Sequence, residues 1–291
     1  MSFSLDIKTE MFKIDIDEIC CARAELAGII CFGTSIGPEG IKLRSEHSIV
    51  AERFYRLVKH IYNLSPGIAL SDNGFFSVGI TDDNALKILR DTRLASVPIR
   101  IDREIVRRDC CKMSFVRGAF FGGGSISNPQ KGYHAEFNTN RYSLCGDFEE
   151  ILHYFEIYPK RINRNGNNVF YLKESEQIEQ LLGVLGAHSR MMDFMNVKIE
   201  KEIKNMENRR GNCEAANVDK ICKTAVSQIL AVKKIKDKTG LESLSIELME
   251  TAKTRVENPQ ASLSEMAKIM GVSKSCINHR MRKITEIAKE L

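Results

Sequence analysis

Between Glu265 and Glu286 the chain runs for 20 residues without an acidic side chain. Lys268, Lys274, Arg280, Arg282 and Lys283 lie in that window, with Ser273, Ser275, Asn278 and His279 among them. These residue types suit double-stranded DNA. Lys and Arg meet phosphates, while Asn, Ser and Arg hydrogen-bond to base edges. Lys274, Ser275 and Asn278 fall near the start of an expected helix and are the expected base readers. Arg280, Arg282 and Lys283 are the expected phosphate contacts, and Lys268 and Ser273 complete the set. His279 reads equally as a DNA contact or as a surface or packing histidine. An ordinary solvated helix face mixes signs, so the acid-free stretch argues against that plainer reading.

Such side chains need a scaffold, and the local pattern supplies one. Ser262 and Ser264 with Glu265 form a helix N-cap region. Ala267 is small where two helices must cross. Gly271 follows four residues later at a tight turn. Val272 and Ile277 are apolar wedges, and Ser273 caps the next helix. This spacing predicts a helix-turn-helix over about 262–289. Further helices are expected over Val218–Asp237 and Ser245–Glu257, the latter stopping before Asn258-Pro259. The polar stretch 205–217 reads as a linker, which makes 218–291 an all-α domain. The net charge of +5 is concentrated there. Residues 213–291 carry 14 basic and 10 acidic side chains, against 29 and 28 in the first 212.

The rest of the chain repeats itself once. Cys20–Ile36 (CCARAELAGIICFGTSI) and Cys110–Ile126 (CCKMSFVRGAFFGGGSI) are identical at six of 17 ungapped positions. Each segment reads as an apolar helix containing small residues, Ala27-Gly28 and Gly118-Ala119. Gly inside a helix costs roughly 1 kcal/mol against Ala, so a packing reason is expected. The simplest arrangement packs the two helices against each other. After the first come expected strands at 40–50 and 75–81 and helices at 51–63 and 84–93. After the second come strands at 133–139 and 168–172 and helices at 147–158 and 175–185. Asp72-Asn73-Gly74 and Asn165-Gly166-Asn167 punctuate hairpins, where positive φ is tolerated. The expected fold is an α+β domain over 1–204, a pseudo-twofold αββαββα duplication with halves of about 1–96 and 97–204. A duplicated structural core without a site is an equally open reading.

Leu26-Ala27-Gly28-Ile29-Ile30 and Arg117-Gly118-Ala119-Phe120-Phe121 resemble the LAGLIDADG motif of homing endonucleases. That resemblance implies paired motif helices, each ending in an acid that holds divalent metal for DNA cleavage. The matching positions here are Gly33 and Gly123, and their neighbours are not acidic either. A hard divalent cation needs anionic oxygen ligands. No catalytic residue, no metal and no nuclease activity are therefore expected.

The nine cysteines fall as two adjacent pairs, Cys20-Cys21 and Cys110-Cys111, and five singles, with no C-x-x-C. Zinc sites usually show Cys or His at short gaps. The spacing argues against both metal and disulfides and suits reduced, packed thiols. No cofactor is expected. A hydrophobic content of 43% is enough for real cores and excludes a disordered chain. No apolar run approaches the ~20 residues of a membrane helix, and Met1–Glu10 does not read as a secretory signal.

The combination of both parts is similar to the bacterial WhiA family. The matching segments include Phe115–Phe120, Gly124–Ser127, Lys131–Phe137, Tyr171–Ile178, Asn212–Asn217 and the stretch Ser273–Ile284. The resemblance covers essentially the whole chain. It implies a DNA-binding transcriptional regulator linked to sporulation, cell division or chromosome segregation. It also implies a cytoplasmic, nucleoid-associated protein without membrane attachment. A second transcription or division protein is a further expected partner, through the N-terminal domain. The alternative readings are a chromosome-associated division factor that does not act on promoters, and a metal-dependent nuclease.

Overall fold

The structure is a computed structural model that describes residues 2–291. It divides into two compact units, Met1–Lys201 and Glu202–Leu291. The first unit holds two copies of one motif behind a leading helix, α1 (Phe3–Phe12). The first copy is α2 (Ile19–Gly33), β1 (Thr34–Gly37), β2 (Gly40–Ser45), α3 (Ser48–Tyr62), β3 (Ile68–Leu70), β4 (Phe76–Ile80) and α4 (Asp82–Asp91). The second is α5 (Asp109–Gly123), β5 (Gly124–Ile126), β6 (Ala135–Thr139), α6 (Cys145–Tyr154), β7 (Lys160–Arg164), β8 (Asn167–Leu172) and α7 (Ser175–Leu185).

The two sheets are topologically equivalent. Their strand orders are β1-β2-β4-β3 and β5-β6-β8-β7, with every pairing antiparallel. Alternation decides which side chains enter the core. In β6, Ala135, Phe137 and Thr139 point inward while Glu136 and Asn138 are less buried. The register sets Phe137 opposite Phe170 and Leu43 opposite Val78. The β7–β8 turn places Asn165 at φ 51° and Gly166 at φ 80°, the two positive angles that a two-residue hairpin turn requires.

Two element boundaries differ from expectation for local reasons. The strand expected over 40–50 stops at Ser45, and α3 begins at Ser48. Val50, Phe54, Leu57 and Val58 recur at helical spacing and are buried, so the helix claims them. The helix expected over 147–158 spans Cys145–Tyr154. Glu156 takes a positive φ of 57°, which turns Ile157 into the core.

The repeated helices α2 and α5 pack backbone to backbone. A Cβ on Gly28 would overlap the Phe115 carbonyl oxygen, and one on Gly118 would overlap that of Glu25. A Cβ on Gly33 would lie 2.7 Å from the Gly122 Cα. Close approach is therefore what these glycines are for. Beside the contact lies a buried carboxylate. Glu25 accepts Arg53 Nε at 2.6 Å and Nη2 at 3.0 Å, and Arg117 Nη1 at 3.4 Å. Arg53 comes from α3 and Arg117 from α5, so one acid joins both halves.

The second unit begins within α8, a single helix over His188–Lys238. The expected linker at 205–217 and the separate helix at 218–237 are both parts of α8. The stretch is polar, but it contains no proline and one glycine, Gly211. One glycine costs roughly 1 kcal/mol, too little to end a helix. Ion pairs at i,i+4 support it, Arg210–Glu214 at 3.0 Å and Asp219–Lys223 at 2.7 Å. Ala231, Val232 and Ile235 of α8 then pack with α9 (Ile246–Glu257), α10 (Leu263–Ile269) and α11 (Lys274–Glu290).

Candidate nucleic-acid interface

Helix α10 starts with a complete capping box. Ser262 Oγ accepts from the Glu265 N–H at 3.2 Å, and the Glu265 carboxylate accepts from the Ser262 N–H at 2.7 Å. These contacts hold the Glu265 carboxyl below its ordinary value. The helix closes on Gly271, whose φ is 66°. The Val272 N–H donates to the Ala267 carbonyl at 3.0 Å and the Gly271 N–H to that of Lys268 at 3.3 Å. This is a Schellman closure, and the positive φ explains the glycine. Ser273 then caps α11 by accepting from the Cys276 N–H at 3.2 Å. Three local devices thus fix the turn between α10 and α11.

Helix α11 has two distinct faces. Ile277, Met281, Ile284 and Ala288 are buried and pack with Leu248, Ala252, Met266 and Ala267. Val272 is partly buried against the same cluster. Lys274, Ser275, Asn278, His279, Arg282 and Lys283 are all exposed on the outer face. Lys274, Asn278 and Arg282 are spaced four apart and form one ridge. Lys268 is exposed on the last turn of α10. Ser273 has its hydroxyl committed to the cap and lies 3.0 Å from Ser275 Oγ.

One expected phosphate contact is arranged otherwise. Arg280 turns toward α9, where its Nη2 lies 3.2 Å from Glu247 Oε2, and only 16% of its side chain is exposed. Its position two residues from Asn278 puts it off the outer ridge, so it braces α11 against α9. Arg282 also has an acidic neighbour, Glu286 at 3.1 Å, but its side chain is 79% exposed. Such exposed pairs contribute little and yield readily to another anion.

Two further residues in this unit carry no sequence signal. Arg255 of α9 is buried and donates through Nη1 to the Ala261 carbonyl at 2.6 Å, which fixes the loop leading into α10. Lys220 of α8 lines a cleft of about 410 Å³ together with Arg255, Ser262, Ser264 and Lys274. A third cation therefore stands near Lys274 from an element that sequence reading left aside.

In the first unit, the positions matching nuclease acids offer no carboxylate. A Cβ on Gly123 would overlap the Asn138 carbonyl oxygen, so the backbone leaves no room for a side chain there. The carboxyl end of α2 is instead occupied by a guanidinium. Arg141 Nη1 donates to the Cys31 carbonyl at 2.6 Å and the Ile30 carbonyl at 3.0 Å, and Nη2 to that of Thr34 at 2.7 Å. A cation suits the negative end of a helix, and it repels a metal ion from the same place.

Comparison with known proteins matches both parts. Residues 208–288 match the family model described as the WhiA C-terminal HTH domain, and residues 112–204 match that of the WhiA LAGLIDADG-like domain. A "Probable cell division protein WhiA" of Alkaliphilus metalliredigens is 34% identical over 99% of this chain and 98% of its own length. One of Desulforamulus reducens is 35% identical over 100% of this chain and 96% of its own. The crystal structure of full-length DUF199/WhiA from Thermatoga maritima superposes with a TM-score of 0.63 at 22% identity, covering 100% of this chain and 99% of that one. That of the N-terminal LAGLIDADG domain of DUF199/WhiA gives 0.51 at 20% identity, covering 64% and 92%. Among the described residues no helix is long and apolar enough to cross a membrane. With a LAGLIDADG-like unit, a helix-turn-helix unit and full-length relatives sharing a third of its residues, the chain belongs to the WhiA family.

Proposed function

We propose that this protein is a regulator that binds double-stranded DNA through α10 and α11 and does no chemistry on it. The observation that carries the reading is the outer face of α11. Lys274, Ser275, Asn278, His279, Arg282 and Lys283 share it, opposite a stripe of buried apolar residues. An amphipathic helix of this kind, held by a tight turn, is built to enter a major groove. Lys274, Ser275 and Asn278 sit near its start and are assigned to bases. Arg282, Lys283 and Lys268 are assigned to phosphates, and Lys220 joins them from α8. Arg280 is left out of the contact set.

The absence of catalysis is supported by Gly33, Gly123 and Arg141. Two-metal cleavage needs carboxylates between the motif helices, and those positions carry glycine and a nearby guanidinium. The name borne by the relatives, probable cell division protein, supports a role in division. Regulation of genes for chromosome segregation or sporulation falls within the same proposal.

The relatives' name also favours a second reading, a chromosome-bound division factor that leaves promoters alone. Genome-wide crosslinking in the native host separates the two. Sharp peaks at promoters, lost with Asn278→Ala, support the regulator. Broad coverage without promoter enrichment supports the division factor.

A further inference from the structure

We propose that the amino ends of α2 and α5 form a thiolate site for a zinc-class metal ion, built from Cys20, Cys21 and Cys111 with Cys110 as the fourth ligand. The Sγ atoms of Cys20, Cys21 and Cys111 lie within 4.8 Å of one another. Tetrahedral zinc with bonds of about 2.3 Å sets its sulfurs about 3.8 Å apart, so small side-chain rotations close the gap. Cys110 stands beside Cys111 in the first turn of α5 with its thiol exposed, and a side-chain rotation would bring it in as the fourth ligand.

The chain spacing concealed this group. Neither pair has the short Cys gap of a zinc motif, and the pairs are 90 residues apart. The duplication puts each pair in the first turn of its own helix, and the glycine contact brings the helices together. Each half thus supplies two ligands. Access fits an ion site as well. Cys111 is buried, Cys20 and Cys21 are half-buried, and Cys110 is exposed, so one side is packed and the other open to water.

Charge is also suitable. Four thiolates and one Zn²⁺ leave an excess of negative charge. Two helix amino ends face the sulfurs, and Arg108 Nη1 lies 3.9 Å from Cys20 Sγ. Along α2, Cys20 is 13 residues from Gly33, about 20 Å by helical rise. The group is therefore separate from the vacated nuclease positions, at the opposite end of the same helix pair. A bound ion would fasten the two halves at the amino ends of the helix pair, in addition to the Glu25–Arg117 pair further along it, and its binding energy would add to folding stability.

The test uses the full-length chain, reduced, treated with chelator and titrated with Co²⁺ and then Zn²⁺. The expected result is one equivalent of Co²⁺ bound, with thiolate charge-transfer absorption and the strong visible bands of tetrahedral coordination. Zn²⁺ then discharges those bands, and the melting temperature rises on adding Zn²⁺. Cys20→Ser and Cys110→Ser replace accessible thiols and are expected to keep the helical circular dichroism while losing or red-to-blue shifting the cobalt bands. Cys213→Ser and Cys276→Ser are expected to leave them unchanged. The proposal is overturned if reduced protein takes up no Co²⁺, or if the bands persist in a folded Cys20→Ser/Cys21→Ser chain. It is also overturned if oxidation yields a Cys20–Cys111 disulfide while the reduced chain binds neither metal.

Discussion

Arg280 Nη2 lies 3.2 Å from Glu247 Oε2, which commits one of the five cations in the acid-free window to an internal pair. Its neighbour Arg282, two residues on, is 79% exposed. The two arginines should therefore respond differently to removal. Arg280→Ala is expected to lower stability by about 1 kcal/mol or less, as partly exposed pairs do, and to leave the salt dependence of DNA binding unchanged. Arg282→Ala is expected to weaken binding to all sequences alike and to lower the salt slope by about one. Thermal melts and anisotropy titrations across a salt series measure both.

Asn278 and Lys274 stand on one ridge near the start of α11 and should carry sequence preference. Asn278→Ala is expected to cut the discrimination between a preferred site and a one-base variant by about 1–3 kcal/mol. Competition binding with a set of single-base variants measures it. An equal loss on every sequence would assign Asn278 to the backbone instead.

The glycines of the helix pair should be irreplaceable, whereas Gly211 should not be. Gly28→Ala or Gly118→Ala puts a Cβ into a backbone carbonyl that cannot step aside. The expected cost is about 3 kcal/mol, at the upper end for overpacking. At Gly211, in the middle of α8, nothing lies within 4 Å of an added Cβ. Gly211→Ala is expected to stabilise by up to about 1 kcal/mol through helix propensity. Denaturant melts of the three variants provide the comparison.

Lys8 gives a pH-dependent test. Burial pulls its ammonium down to about 8, and the side chain lies over the Phe120 ring at 5.6 Å. In the unfolded chain the pKa is about 10.4. Between those values the unfolded state binds more protons, so stability rises with pH across that window. Lys8→Met is expected to stabilise by up to about 3 kcal/mol at neutral pH, and the gain is expected to disappear near pH 10.5. Melting temperatures of both proteins at the two pH values measure the effect.

The sequence was most readable where the signals are local. Ser262 with Glu265, Gly271 and Ser273 each act within a few residues, and each is a cap or a turn in the structure. The repeat was readable because Gly28 and Gly118 recur in matched surroundings, and both lie at the helix contact. Contacts that depend on folding left no such trace. Arg141 reaches the end of α2 across more than 100 residues of chain, and the cysteine pairs meet only because the halves do. The continuity of α8 is hidden for another reason. Asn205–Asn217 has the polarity of a linker, yet its Glu, Arg, Met and Ala residues are good helix formers.

Binding of duplex DNA by the full-length chain tests the central claim most directly, with the intact protein compared against Lys274→Ala/Asn278→Ala/Arg282→Ala/Lys283→Ala. All four side chains are exposed, so the variant is expected to melt at the wild-type temperature. The intact protein is expected to bind with affinity that falls steeply as salt rises, and the variant to lose on the order of 100-fold or more in affinity together with most of that slope. A folded variant that binds with unchanged affinity and unchanged slope would contradict the assignment of DNA binding to α11.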